Sequence, residues 1–237
     1  MSFTVGPQNL YIGRGVVSVT TVAPNIDFWQ PSTAYAVGAY VLNFTAAPTG
    51  SNNPLNVYVC TTAGTSGSTT GPQQTGTGLV DGAGTAIWSS VALNDVGNCS
   101  KLTVTIESEV IKHKTSRSGA NVQDASAEIT RTGGMDATLE EYALENMAYV
   151  SYGTIVGSAR PHRYGKMGNV ARTNQVWQFV GTNAIGAAFQ VIIPRCQVNP
   201  PKEINFISDK YASFDMKGDL FGLPSDGYAF YYVAELD

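Results

Sequence analysis

Two histidines, three cysteines and a small group of glutamates are the residues of this chain with the most chemistry to offer. His113 lies in IKHKTSR and His162 in ARPHRYGK. Neither has a Cys, Asp or Glu at a spacing that suits a metal ion, so both read as solvated loop histidines and no metal or other cofactor is expected. Glu107 and Glu109 are two apart in an alternating stretch, so they point the same way if that stretch is a strand. Glu128 is a candidate neighbour on a returning strand. Two acids on one face could act as the acid and base of a glycosidase; the plainer reading is a wet, acidic sheet face. No G-x-S-x-G elbow supports a serine nucleophile, and no G-K-[ST] follows the glycine-rich stretches to cradle a phosphate. No catalytic residue is assigned, and an enzyme is not expected.

The elements that must position these residues divide by charge. Among the first 98 residues only Arg14, Asp27, Asp81 and Asp95 are charged, and the remaining charges all lie beyond. Such a step marks two kinds of surface. Overall the chain of 237 residues is 14% charged, with a formal net charge of −4, against roughly 25% charged residues in ordinary soluble domains. So low a charge fits a surface largely hidden in an assembly or a protein outside metabolism, and an acidic balance argues against one that wraps nucleic acid by neutralising phosphates. Cys60, Cys99 and Cys196 are odd in number and lack C-x-x-C spacing, so they read as buried thiols. The N-terminal MSFTVGPQNLYIGRG has no basic start and apolar run, and no apolar run suits a membrane helix. No membrane partner is expected, and synthesis in a cytoplasm is.

Within residues 26–94, TAYAVGAYVLNF, LNVYVCTT and TAIWSSV predict three short strands of an inserted β module. Residues 1–25 and 95–237 then form one discontinuous domain. Leu102, Val104 and Ile106 alternate with Thr103, Thr105 and Glu107, which predicts one buried and one wet face. This strand and ASAEITRTG predict a long hairpin over 101–111 and 123–132 with a polar tip. DATLEEYALENMAYV predicts a helix capped by Thr138 and Glu141. Five more stretches, QVWQFVG, AAFQVIIPRCQV, EINFI, YASFDMKG and GYAFYYVAEL, predict strands. The fold class is mostly β, a sandwich or partial barrel with one flanking helix.

Two resemblances follow. FWQPSTAYAVGAYVLN, NVYVCTTAGTSGSTTGP and DGAGTAIWSS together resemble the small chitin-binding-like carbohydrate modules found in phage tail proteins. That likeness implies a fold first and glycan binding second. Aromatic rings stack on pyranose faces, and Trp29, Tyr35, Tyr40, Tyr58 and Trp88 are the candidate rings; a small domain also needs such residues for its core. The order of parts outside the module resembles the tail tube proteins of long-tailed phages. The likeness implies hexameric rings stacked into a tube, with a hairpin from each subunit closing a shared barrel. It further implies other tail proteins as partners, double-stranded DNA passing without specific binding, and a place in the virion tail after assembly in the host cytoplasm. Glu107, Glu109 and Glu128 would line an acidic lumen, and Lys112, Lys114 and Arg117 would reach the adjacent ring. A glycan-binding surface, fibre or capsid decoration protein is the alternative.

Overall fold

The computed structural model describes residues 14–22, 26–44, 55–116, 119, 122–158, 162–182, 188–204, 206 and 213–236. The fold is mostly β. Strand β1 (Arg14–Val22) leads into the module, which holds β2 (Asp27–Phe28), β3 (Ala34–Tyr35), β4 (Tyr40–Phe44), β5 (Leu55–Thr62), β6 (Gly64–Thr65), β7 (Leu79–Val80) and β8 (Ile87–Ser90). After β9 (Asn94–Asp95) comes the long pair β10 (Cys99–Thr115) and β11 (Val122–Leu139), then helix α1 (Leu144–Ser151). The small pair β12 (Thr154–Val156) and β13 (Tyr164–Lys166) precedes β14 (Asn174–Thr182), β15 (Ala188–Asn199), β16 (Phe214–Leu220) and β17 (Tyr232–Leu236).

The large sheet runs β10-β11-β16-β15-β14-β1-β9, with β17 beside the first half of β15. It curls so that β11 and β16 pack against β1 and β14. Met135, Ala137, Leu139, Phe214 and Met216 meet Val17, Val19 and Trp177 in one core. The turn of the sheet is made in β15. Gln175 pairs with Cys196 but Trp177 pairs with Ile193, which leaves Pro194 and Arg195 as the irregularity. Proline has no N–H for the ladder, and a bulge is where a central strand tolerates it. The bulge also reverses the alternation: Ile193, Cys196 and Val198 face this core, whereas Ile192 faces another.

That second core joins the module to the rest. Ile26, Leu42, Leu55 and Val57 of the module region pack with Val22, Val176, Ile192 and Leu223. The side chain of Gln190, 1% exposed, accepts from the Leu55 N–H at 2.9 Å and donates to the Leu55 carbonyl at 3.2 Å. Phe28 meets Tyr232 edge to face, with centroids 5.0 Å apart. The module is thus laid on the outer face of the β1-β14-β15 layer, on the side away from β11 and β16. Replacing Gln190 by Leu removes both bonds and strands two buried backbone groups. We expect a loss of about 2–3 kcal/mol, read as a lower urea midpoint with an unchanged slope.

Several sequence expectations are corrected. The module pairs more strands than three: β2-β4-β5-β8-β7 form one sheet and β3-β6 a second. The helix begins at Leu144, behind the uncapped residue Ala143. Thr138, read as its cap, is still in β11, where its hydroxyl donates to Asp215. Pairing of β11 with both β10 and β16 outweighs the local capping signal. In EINFI, Glu203 and Ile204 are not in a strand, and Phe206 sits in a bend. Cys60 and Cys196 are buried, but Cys99 is only partly so.

Candidate functional site

The hairpin β10-β11 is two structures in one. Near its root, Leu102 and Val104 pack on the core, and β11 also pairs with β16 from Gly133 to Leu139. Phe230 covers the root: a Cβ on Gly133 would lie 3.0 Å from its ring and 2.9 Å from the Leu220 Cβ, so only glycine fits there. Beyond Gly133 the ribbon leaves the body. Almost every described residue from Thr105 to Thr115 and from Val122 to Thr132 is exposed, over roughly 35 Å of ribbon. Ile106, Val110, Ile111, Val122 and Ile129 are 41–60% exposed. Among the described residues β10 pairs only with β11, and β11 has no other partner before Gly133. Both long edges are open.

Register decides which residues share a face, because partners across an antiparallel pair lie on the same side. Glu107 and Glu109 pair with Thr132 and Thr130 on the face away from the core. Glu128 does not join them. The pairing steps from Glu109 with Thr130 to Val110 with Glu128, leaving Ile129 as an extra residue. One inserted residue sends everything beyond it to the opposite side. Glu128 therefore lies on the core side, where Arg131 grips both its oxygens at 3.0 and 2.7 Å. That guanidinium holds the Glu128 carboxyl below the usual carboxylate range. A lowered pKa means the ion pair persists at neutral pH and is lost as acid protonates the folded carboxyl. Arg131→Ala should return the Glu128 carboxyl to the ordinary range in a carbon-13 NMR titration, with little change in folding stability because the pair is exposed.

The face of Glu107 and Glu109 continues across the neighbouring strands. Thr103 pairs with Asp136 and Lys101 with Thr138, and these lie beside Lys217 and Asp215, with Asp219 next to Gly134. Five carboxylates thus share one uncovered face with two lysines. Lys217 reaches Asp136 at 3.8 Å, and Arg172 at the border reaches Asp219 at 3.5 Å. Asp136, Asp215 and Asp219 were not singled out from the sequence, although FDMKGDL alternates Phe214, Met216 and Leu220 with Asp215, Lys217 and Asp219. At the far end of the ribbon, Lys112 and Lys114 are exposed, and His113 bonds Asp124 through Nδ1 at 2.5 Å. Arg117 lies outside the described residues.

Of the five aromatic rings of the module, Tyr58 and Trp88 are buried and Trp29, Tyr35 and Tyr40 are half-buried. Tyr58 and Trp88 are fully buried and form a core with Val41, Cys60 and Ala86, so neither offers a face to a sugar. Tyr35 packs edge-on against Trp88 at 4.9 Å, and its hydroxyl accepts from the Gln30 N–H. Trp29 donates its indole N–H to Asp81 at 2.9 Å, and Tyr40 packs on the core shared with the body. A domain this small uses its large side chains to fill itself. The same packing explains the glycine-rich loop GTSGSTTGP. A Cβ on Gly67 would lie 2.0 Å from the Asp81 carbonyl oxygen, and one on Gly71 would lie 2.9 Å from the Trp29 ring. The loop is small because it is pressed against Asp81, Asn43 and Trp29.

Among the described residues no group of three or more His, Cys, Asp or Glu side chains could hold a metal ion. No described helix is long and apolar enough to cross a membrane. The family described as "Protein of unknown function UCP028589" matches residues 78–161, a span that runs from β7 of the module through the whole hairpin and α1. No curated protein matches the chain.

Proposed function

We propose that this chain is a structural subunit of a phage tail tube, built to join copies of itself into stacked rings. The observation that carries this is the distal hairpin, a two-stranded ribbon that among the described residues is exposed on both faces with both edges open. A lone ribbon of this kind is marginal in water, and open edges invite pairing with another chain. Closing ribbons from several copies into one barrel removes every edge. In such a ring the acidic face of Glu107, Glu109, Asp136, Asp215 and Asp219 lines the channel, and the module sits outside. Carboxylates along the channel repel phosphates, so duplex DNA passes without adhering. Tyr58 and Trp88 are buried and offer no ring to a sugar, so glycan binding by the module would rest on the half-buried Trp29, Tyr35 and Tyr40.

Negative-stain electron microscopy of the purified chain, concentrated at several salt strengths, tests the reading. Rings or tubes with a central channel are expected; uniformly single particles at every concentration and salt would count against it.

A further inference from the structure

Helix α1, β12 and the paired ends of β1 and β14 border a cavity of about 240 Å³, lined by no residue of the hairpin or the module. Ala148, Tyr152, Ile155 and Val170 give it largely apolar walls. Those walls are tied down. Gln175, 1% exposed, pairs with Thr21 across the sheet, donates to the Tyr149 carbonyl at 2.8 Å and accepts from the Trp177 indole at 3.1 Å. The Tyr152 hydroxyl donates to the Val198 carbonyl at 2.7 Å, and the Val170 N–H donates to the Tyr152 carbonyl at 3.0 Å. A preformed apolar hollow with a few placed polar groups is the usual form of a small-molecule site. Of the lining residues Glu145, in the first turn of α1, alone carries a charge. Burial raises the Tyr149 hydroxyl above its ordinary range and the Glu145 charge adds to it, so the carboxylate acts on the cavity wall.

We propose that this cavity binds a small primary amine, with the ammonium on Glu145 and the alkyl chain against Tyr149, Tyr152, Ile155 and Val170. Charge sets the class of ligand. No Lys, Arg or His lines the cavity to repel a cation, and tyrosine rings beside a carboxylate favour one further. Arg163 bonds Glu145 and is not among the lining residues. A carboxylate accepts about four hydrogen bonds, so an ammonium can join that guanidinium on the same group. Volume sets the size: about 240 Å³ is below the roughly 300–1,000 Å³ of drug-sized sites, which limits the ligand to a short chain. The inference does not depend on the tube reading, because the hairpin and the module take no part in the site.

The test is a titration of the full chain with butylamine at constant pH, followed by saturation-transfer NMR, which observes the ligand whether the chain is single or assembled. Butanol is the uncharged match. Saturable binding of butylamine with a Kd on the order of 1 mM is expected, with butanol at least tenfold weaker. Glu145→Gln should weaken butylamine at least tenfold and leave butanol unchanged. Arg163→Ala removes the competing cation and should tighten butylamine. The Arg163 and Glu145 side chains are 29% and 42% exposed, so both variants should keep the wild-type circular dichroism; should Glu145→Gln not fold, the butanol and Arg163→Ala arms decide. Lysine capped at both backbone ends separates two sources of the amine: binding as tight as butylamine means a lysine side chain of a partner, and at least tenfold weaker binding means a free small molecule. Absence of saturable butylamine binding, equal binding of butanol, or an unchanged Kd in folded Glu145→Gln overturns the site. Each of these results leaves the tube reading as it stands.

Discussion

Replacing residues 107–132 by a two-residue Asn-Gly turn is expected to yield a folded chain that forms no rings or tubes. Ile106 and Gly133 are directly paired, so a tight turn can close the shortened hairpin at that point without changing its register. The described residues of the removed ribbon include no buried side chain, and the root keeps its ladder to β16 and its cover from Phe230. Melting should therefore stay within about 1 kcal/mol of wild type, because only exposed residues are lost. Assembly, in contrast, should fall to nothing, since every proposed contact between copies uses the ribbon. Sedimentation and electron microscopy at the concentration where the full chain assembles supply the comparison. Assembly by the shortened chain would mean that copies meet through another surface.

Trp88→Ala should destabilise the whole chain rather than abolish a binding property. Trp88 is fully buried at the centre of the module core and meets Tyr35 edge-on. Emptying such a site costs about 3–5 kcal/mol. The effect should spread, because Leu42, Leu55 and Val57 share a core with Val176, Ile192 and Leu223, and Gln190 bonds the backbone of Leu55. One cooperative transition at lower denaturant is expected, followed both by fluorescence and by circular dichroism. Two separate transitions would show instead that the module unfolds independently of the body.

These outcomes depend on features that were unequally visible in the residues. The alternation of Leu102, Val104 and Ile106 with Thr103, Thr105 and Glu107 announces β10, because a half-buried strand must repeat every two residues. The charge-poor stretch and its β-rich runs likewise mark the module. What local pattern could not convey is how strands compete for the same residues. Thr138 and Glu141 have the spacing of a helix cap, yet β11 continues through Thr138 and Leu139, since two flanking strands offer more hydrogen bonds than a first helical turn.

The candidate site was legible to the same degree. Glu107 and Glu109 fall on one face because they are two apart on one strand. Glu128 looked like their neighbour, and the single extra residue Ile129 turned it to the other side. A bulge leaves no plain mark in sequence, since it arises from fitting one strand to another. In the same way Tyr58 and Trp88 are aromatic whether they meet a sugar or each other's neighbours, and only packing buried them.

The sequence by itself determined a mostly β chain, a charge-poor module set into a charged frame, and a long alternating hairpin with two acids on one side. Those depend on residue type and spacing along the chain. Tertiary structure alone decided that the module shares its core with the frame, that Asp136, Asp215 and Asp219 join the acidic face, and that the hairpin outruns its own body. Each of these is a relation between strands distant in sequence, set by register, bulges and the area each face must bury.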